Sequence, residues 1–236
     1  NNNKITLPRI SKIPDRIRVG YFGSDFHDHA TLHLISGLLR EHDKSKFEVH
    51  VYSYGNTKNS TLRNELMSNV EFFHDVSEYS DAEICNFARS NNIHIALDLK
   101  GYTQGARTRI FSERVAPIQI NFLGFPGTMG AEFIEYIVAD RTLIPPEFRN
   151  HYTESVIYMP DTYQPNDCLR LIDKRPMTRK EFGLPEHAFV MCCFNNNYKI
   201  GPREAAIWTE LLHTIDKSIL WLLGSNEEAQ KNLLAH

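Results

Sequence analysis

No stretch of this 236-residue chain stays apolar for the roughly 18–20 residues that a membrane-spanning helix needs. Residues 1–15, NNNKITLPRISKIPD, have no apolar segment of the kind a secretory signal carries. A membrane partner is not expected. Neither sign of charge dominates: 26 Lys+Arg stand against 29 Asp+Glu, net −3, with no long run of either. That pattern lacks the basic footprint of a nucleic-acid-binding protein, so any anionic ligand must be held locally. Cysteine is scarce, with Cys85, Cys168, Cys192 and Cys193 in no CxxC spacing, which points to reduced, buried thiols in a cytoplasmic protein. What is present is ordinary globular composition, 42% hydrophobic, 23% charged and 11% aromatic, which excludes disorder, collagen and coiled coil. At about 150 residues per domain the length allows about one and a half domains.

From Arg16 onward, short apolar runs alternate with helix-like segments, the pattern of an α/β parallel sheet covered on both faces. Strands are predicted at Ile17–Phe22, Phe47–Ser53, Val70–His74, Ile93–Leu99, Ile118–Leu123, Tyr136–Ala139 and Val156–Met159. Between them Leu32, Ile35, Leu38 and Leu39 form a helical core stripe, and Ser80–Glu83 is a capping box. The polar, proline-bearing stretch Pro160–Arg175 marks a boundary. A second series follows, with a capping box at Thr178–Glu181, strand Ala188–Phe194, a helix opened by Pro202, strand Ser218–Gly224 and a last helix. The expected organisation is a linker over 1–15 arriving from an upstream region, a Rossmann-like domain over 16–165, a connection over 166–176, and the start of a second, incomplete Rossmann-like domain over 177–236.

In such sheets ligands sit beyond the carboxyl ends of the strands, so the loops after the strands are where chemistry is expected. Gly23–His33, GSDFHDHATLH, packs three histidines and two aspartates into eleven residues. His29 and His33 have the i, i+4 spacing of a zinc pair, but HATLH lacks the glutamate of HExxH and no cysteine accompanies it, so no metal is expected. Capping or packing at a helix N-terminus and general-base catalysis by His29 both remain open. In KGYTQGARTR, Lys100–Arg109, two glycines allow close backbone approach while Thr103, Gln104, Arg107 and Arg109 offer donors. A turn with a solvated basic face accounts for it equally well. His94, between Ile93 and Ile95, reads by default as a satisfied core histidine. GFPGTMG, Gly124–Gly130, is a constrained loop that matches neither GxGxxG nor GxxxxGK[ST]. In FNNNYKIGP, Phe194–Pro202, Lys199 is either a phosphate-binding charge near a helix start or a solvated loop lysine.

Taken together, IRVGYFGSDFHDHATLHL, IHIALDLKGYTQGAR, APIQINFLGFPGTMGAEFIEYIVAD and FGLPEHAFVMCCFNNNYKIGP resemble the catalytic region of the protein O-GlcNAc transferases. These are the TPR-bearing GT-B enzymes of glycosyltransferase family 41. The resemblance runs from about Arg16 to the end. It implies two Rossmann-like domains facing across a cleft, a TPR region upstream, and inverting, metal-independent transfer of GlcNAc from UDP-GlcNAc to Ser/Thr hydroxyls of protein or peptide acceptors in the cytoplasm. No cofactor is implied. Residue by residue it places the active-site histidine on His29, a second cleft histidine on His94, and Lys199, with Asn196, on the donor diphosphate side. Thr103, Arg107, Gly124, Pro126, Gly127 and Thr128 would line the acceptor side.

Two positions depart from the family pattern: Asn196 stands where many members have Gln, and Asn91-Asn92-Ile93 replaces the Asp-Gly-Ile before the second histidine. The short Pro160–Arg175 connection points to a bacterial-type or otherwise compact member, and the rest of the nucleotide domain is expected beyond His236. Two alternatives stand beside this reading: a related protein O-fucosyltransferase using GDP-fucose, and a non-catalytic TPR/GT-B scaffold.

Overall fold

The computed structural model describes residues 14–55, 60–224 and 226–235. The expected linker lies outside these residues except at its last two positions. The chain divides into two compact units, Asn1–Leu171 and Ile172–His236.

The first unit is built on seven parallel strands, β1 (Ile17–Gly23), β2 (Phe47–Ser53), β3 (Phe72–Asp75), β4 (Ile95–Asp98), β5 (Ile118–Asn121), β6 (Tyr136–Ala139) and β7 (Ser155–Tyr158). Their order is β3-β2-β1-β4-β5-β6-β7. The chain winds outward from β1 to β3, then crosses back to β4 and winds the other way. The switch between β1 and β4 is where a Rossmann-like sheet leaves a crevice at its carboxyl edge. Four helices accompany the strands: α1 (Ala30–Arg40), α2 (Thr61–Asn69), α3 (Asp81–Ser90) and the single turn α4 (Arg109–Ser112).

Alternation along the strands explains the two cores. Val19 and Tyr21, Val49 and Val51, and Leu97 point to one face, where α1 covers them with Leu32, Ile35 and Leu39 and α2 with Leu66. Phe22, Tyr52 and Ala96 point to the other, under Ile84, Cys85 and Ala88 of α3 and Ile110 and Phe111 of α4. The inner strands, buried on both faces, read as continuous apolar runs, while the edge strands β3 and β7 are only partly buried. The ends differ for local reasons. Val70 closes α2 through its N–H to the Leu66 carbonyl, so β3 starts only at Phe72. The Ser80–Glu83 capping box forms in full at the start of α3.

The stretch after β7 has no helix or strand up to Leu171, but it is not a free tether. Asp167 accepts from both guanidinium nitrogens of Arg40 (3.1 and 2.7 Å) and from Ser36 Oγ on α1. The Arg40 guanidinium holds the Asp167 carboxyl down at about 2. A carboxyl lowered by folding adds stability above its unfolded value and loses it as pH falls through the folded one. We expect Asp167→Asn to cost roughly 1 kcal/mol between about pH 5 and 7, with the difference from wild type shrinking below about pH 4 and vanishing only as pH falls through about 2, measured by denaturant melts across pH.

The second unit contains β8 (Phe189–Cys193), α5 (Pro202–Thr214), β9 (Ser218–Leu222) and α6 (Glu227–Leu234), with β8 and β9 parallel. Ala188 is its only buried residue among those described, while Phe189, Phe194, Ile207 and Leu223 are exposed. Two sequence expectations fail here. Thr178 makes no side-chain cap, and the segment after it is one 3-10 turn, Arg179–Phe182, stopped by Gly183 in the left-handed region at φ 65. Helix propensity without a face to bury does not extend a turn. Nor are the thiols uniformly buried: all four are free, but only Cys85 is buried, while Cys168 and Cys192 are exposed.

Candidate functional site

Because the sheet is parallel, the loops after β1, β2, β4 and β5 emerge side by side on one edge. They are packed against one another. Gly101, at φ 53, lies so close to Phe125 that a Cβ there would come within 2.5 Å of the Phe125 Cβ, and a Cβ on Gly124 would meet the Leu99 carbonyl oxygen at 2.1 Å. Neither position accepts a side chain without moving the loops apart.

The loop after β1 ends at His29, which is the N-cap of α1. Its backbone is extended (φ −147, ψ 152) and its Nδ1 accepts the Thr31 N–H at 3.1 Å. A backbone N–H can only donate, so Nδ1 carries the lone pair and the neutral ring carries its proton on Nε2. The ring is 44% exposed. The neutral His29 ring therefore keeps its N–H at Nε2 as a donor, and the capping role, one of the two left open by the sequence, is the one its Nδ1 performs. His33, one turn on, is bound through Nε2 to Asp28 at 2.8 Å. The two histidines are thus directed to different partners. Among the described residues no group of three or more His, Cys, Asp or Glu is placed to share a metal ion.

Beneath these loops lies a buried polar group that sequence reading did not single out. Lys100 Nζ reaches Asp25 Oδ2 at 2.5 Å, both side chains being nearly enclosed. Asp98, 1% exposed, accepts the backbone N–H groups of Lys100 (2.9 Å) and Gly101 (3.1 Å) and so shapes the start of the loop after β4. Burial pushes the Asp98 carboxyl up, against the lowering effect of those amides and of Lys100. The Tyr54 hydroxyl, after β2, is buried without a partner among the described residues. Burial, with the Asp98 and Asp25 charges, drives its pKa well above the ordinary phenol range. Charged residues closing a strand, as in LDLKG, were the available signal; their partners lay too far away in sequence to be read.

Several predicted contact residues prove to be anchors. Arg107 pairs with Asp81 at 2.6 Å, donates to the Tyr79 carbonyl and lies over the Tyr54 ring. Thr103 Oγ1 donates to the Lys100 carbonyl. Thr128 Oγ1 donates to Glu154 at 2.8 Å, and the same carboxylate accepts the Met129 N–H at 2.6 Å. The carbonyls of Pro126 and Gly127 are held by Tyr152 Oη and Asn121 Nδ2, while Gly124 packs on the loop after β4. The loop after β5 is therefore pre-shaped. Glu154 is fully buried, and Glu154→Ala would leave the buried Met129 amide without its acceptor; we expect a loss of about 1–3 kcal/mol, read as a lowered denaturation midpoint.

His94 is not part of this arrangement. It precedes β4, and its Nδ1 accepts the Arg18 N–H at 2.9 Å near the start of β1, while burial lowers its pKa. The length of β4, four residues at about 3.3 Å each, separates it from the loop that starts at Leu99. His94, which the resemblance implies as a second cleft histidine, thus stands at the amino edge of the sheet with its Nδ1 engaged by the Arg18 amide.

In the second unit, Lys199 ends a short 3-10 turn, Asn197–Lys199, between β8 and α5. It is exposed and forms no ion pair among the described residues, and Asn196 caps the turn without using its side chain. A cavity of about 300 Å³ beside this turn is lined by Tyr198, Ile200, Gly201 and Pro202 on one side and Asn232 of α6 on the other.

A doubly wound parallel sheet, loops locked together at its switch point and a histidine donor at a helix start define an α/β protein of the Rossmann-like, ligand-binding class. The chain belongs to glycosyl transferase family 41, whose family model matches residues 4–175 and 173–236. It is 36% identical over 213 residues, 88% of this chain and 22% of the relative, to the probable UDP-N-acetylglucosamine–peptide N-acetylglucosaminyltransferase SEC of Arabidopsis thaliana. Over 158 residues it is 37% identical to the UDP-N-acetylglucosamine–peptide N-acetylglucosaminyltransferase of Caenorhabditis elegans, covering 66% of this chain and 14% of that one. Its fold matches the structure of a lysine-to-methionine mutant of the Thermobaculum terrenum O-GlcNAc transferase with a TM-score of 0.86 and 26% identity, over 98% of this chain and 44% of that chain. The chain thus spans about a fifth or less of the length of these two curated relatives.

Proposed function

We propose that this chain is part of the catalytic region of a protein O-GlcNAc transferase that moves GlcNAc from UDP-GlcNAc to Ser/Thr hydroxyls of proteins, with inversion and without a metal. The observation that carries the reading is the locked loop cluster at the carboxyl ends of β1, β4 and β5, found in a chain of family 41 whose named relatives are peptide N-acetylglucosaminyltransferases. His29, half-exposed with its Nε2–H directed outward, orients the acceptor or the sugar. Lys199, which forms no ion pair among the described residues, and the side-chain amide of Asn196, which makes no cap there, take the donor diphosphate. As the glycosidic bond breaks, that diphosphate gains negative charge, and an ammonium near a helix start stabilises the change. Four free cysteines and described helices too short and polar to cross a membrane support a cytoplasmic setting.

Calorimetric titration of the full-length protein with UDP-GlcNAc, UDP-glucose and GDP-fucose, followed by mass analysis of a Ser/Thr peptide, tests the proposal. UDP-GlcNAc should bind tightest and the peptide should gain one N-acetylhexosamine. Preference for GDP-fucose would replace the donor, and binding without transfer would leave a scaffold.

A further inference from the structure

The Asp25 carboxylate lies between two cationic or potentially cationic groups and serves one of them. Its Oδ2 is 2.5 Å from Lys100 Nζ but 3.7 Å from His29 Nδ1, beyond hydrogen-bond reach. Its Oδ1 accepts from Ser24 Oγ at 2.9 Å. An unengaged carboxylate beside an imidazole draws an N–H toward itself, which would place the ring proton on Nδ1. That would take from the Thr31 N–H the one acceptor it has among the described residues at the start of α1. Here the carboxylate is already satisfied by a buried ammonium, in surroundings where such pairing is strong. The remaining groups near the ring do not compete: His27 meets it edge-on with centroids 5.6 Å apart, and Asp28 is bound to His33.

We propose that Lys100 is a positioning residue that sets the tautomer of His29, holding Asp25 so that His29 Nδ1 stays an acceptor and Nε2–H stays the outward donor. Two features make Lys100 suited to this. Its backbone N–H and that of Gly101 are clamped by Asp98, which fixes where its side chain starts. It is also 6% exposed, so the ammonium is withdrawn from solvent and committed to Asp25. The loop after β4 thereby controls a side chain on the loop after β1, across 75 positions of sequence. The consequence for turnover rests on the reading above, in which His29 meets the acceptor or the sugar. In this tautomer His29 orients an oxygen by donating to it and does not take a proton from it.

The test separates the two claims. In 15N-histidine spectra at alkaline pH, where imidazoles are neutral, wild-type His29 should show a bare Nδ1 and a protonated Nε2. Lys100→Met should move the proton to Nδ1 and speed amide exchange at Thr31 by about 5–10-fold, the size of a lost N-cap. Adding Asp25→Asn to Lys100→Met removes the competing carboxylate and should return both readouts to wild type, which a purely structural role for Lys100 would not do. A wild-type ring already protonated on Nδ1 overturns the proposal even if Lys100→Met does not fold. So does Lys100→Met with unchanged tautomer and Thr31 exchange. In the full-length protein Lys100→Met should lower kcat about tenfold with donor KM within a few-fold, and the double variant should recover. A shifted tautomer with unchanged kcat would leave the Lys100 role standing and remove His29 from the reaction.

Discussion

Lys199→Met is expected to weaken UDP binding by the full-length protein and to slow turnover further, with a combined loss of roughly 10–150-fold in kcat/KM. The range follows from a charge-assisted contact of about 1.5–3 kcal/mol. The side chain is exposed, forms no ion pair among the described residues, and stands between β8 and the start of α5 beside a cavity of about 300 Å³. Its one recorded contact is a loose one, Nζ lying 6.0 Å from the centroid of the neighbouring Tyr198 ring. Because the leaving diphosphate carries more charge in the transition state than in the bound donor, the loss should be larger in kcat/KM than in UDP affinity alone. Lys180→Met is the control, since Lys180 lies exposed on the 3-10 turn Arg179–Phe182 and should change almost nothing. Equal, near-wild-type turnover in the two variants would remove Lys199 from the site.

His29→Ala should lower kcat on the order of 100-fold while donor Kd stays within a few-fold, because a group that orients the reacting oxygen acts chiefly in the transition state. The same change deletes the N-cap of α1 and should cost about 1 kcal/mol of stability. His29→Asn separates the two effects: asparagine caps well, so stability should return while kcat remains depressed. His33→Ala loses only the exposed contact with Asp28 and should be nearly silent in turnover. If His29→Ala and His33→Ala lose activity equally and in step with unfolding, both histidines are structural.

The placement of individual side chains was much less legible than the sheet. His94 stands six residues before Lys100 in a mostly apolar segment broken by Asp98, and only the family resemblance implies a place for it at the site. Strand direction sends it to the opposite edge, where the Arg18 amide satisfies it. Arg107 and Thr128 have the residue types of ligand-binding loops, yet Asp81 and Glu154, each about 26 positions distant, claim their polar atoms. Thr178 shows the converse: its capping pattern is complete, but the segment is exposed throughout and never became a longer helix.

By itself the sequence determined the class of fold and the edge where chemistry belongs. Apolar runs separated by helical stripes require a parallel sheet buried on both faces, and parallel strands deliver all their following loops to one edge whatever those loops contain. Only the tertiary structure decided which polar groups on that edge are spent and which are free. That choice is a competition among partners brought together by folding: Asp25 could serve His29 or Lys100, and a residue 75 positions away settles it. Hydrophobic periodicity is local and repeats within each element, whereas a hydrogen-bond partner is specified by a single long-range contact that leaves no period in the sequence to read.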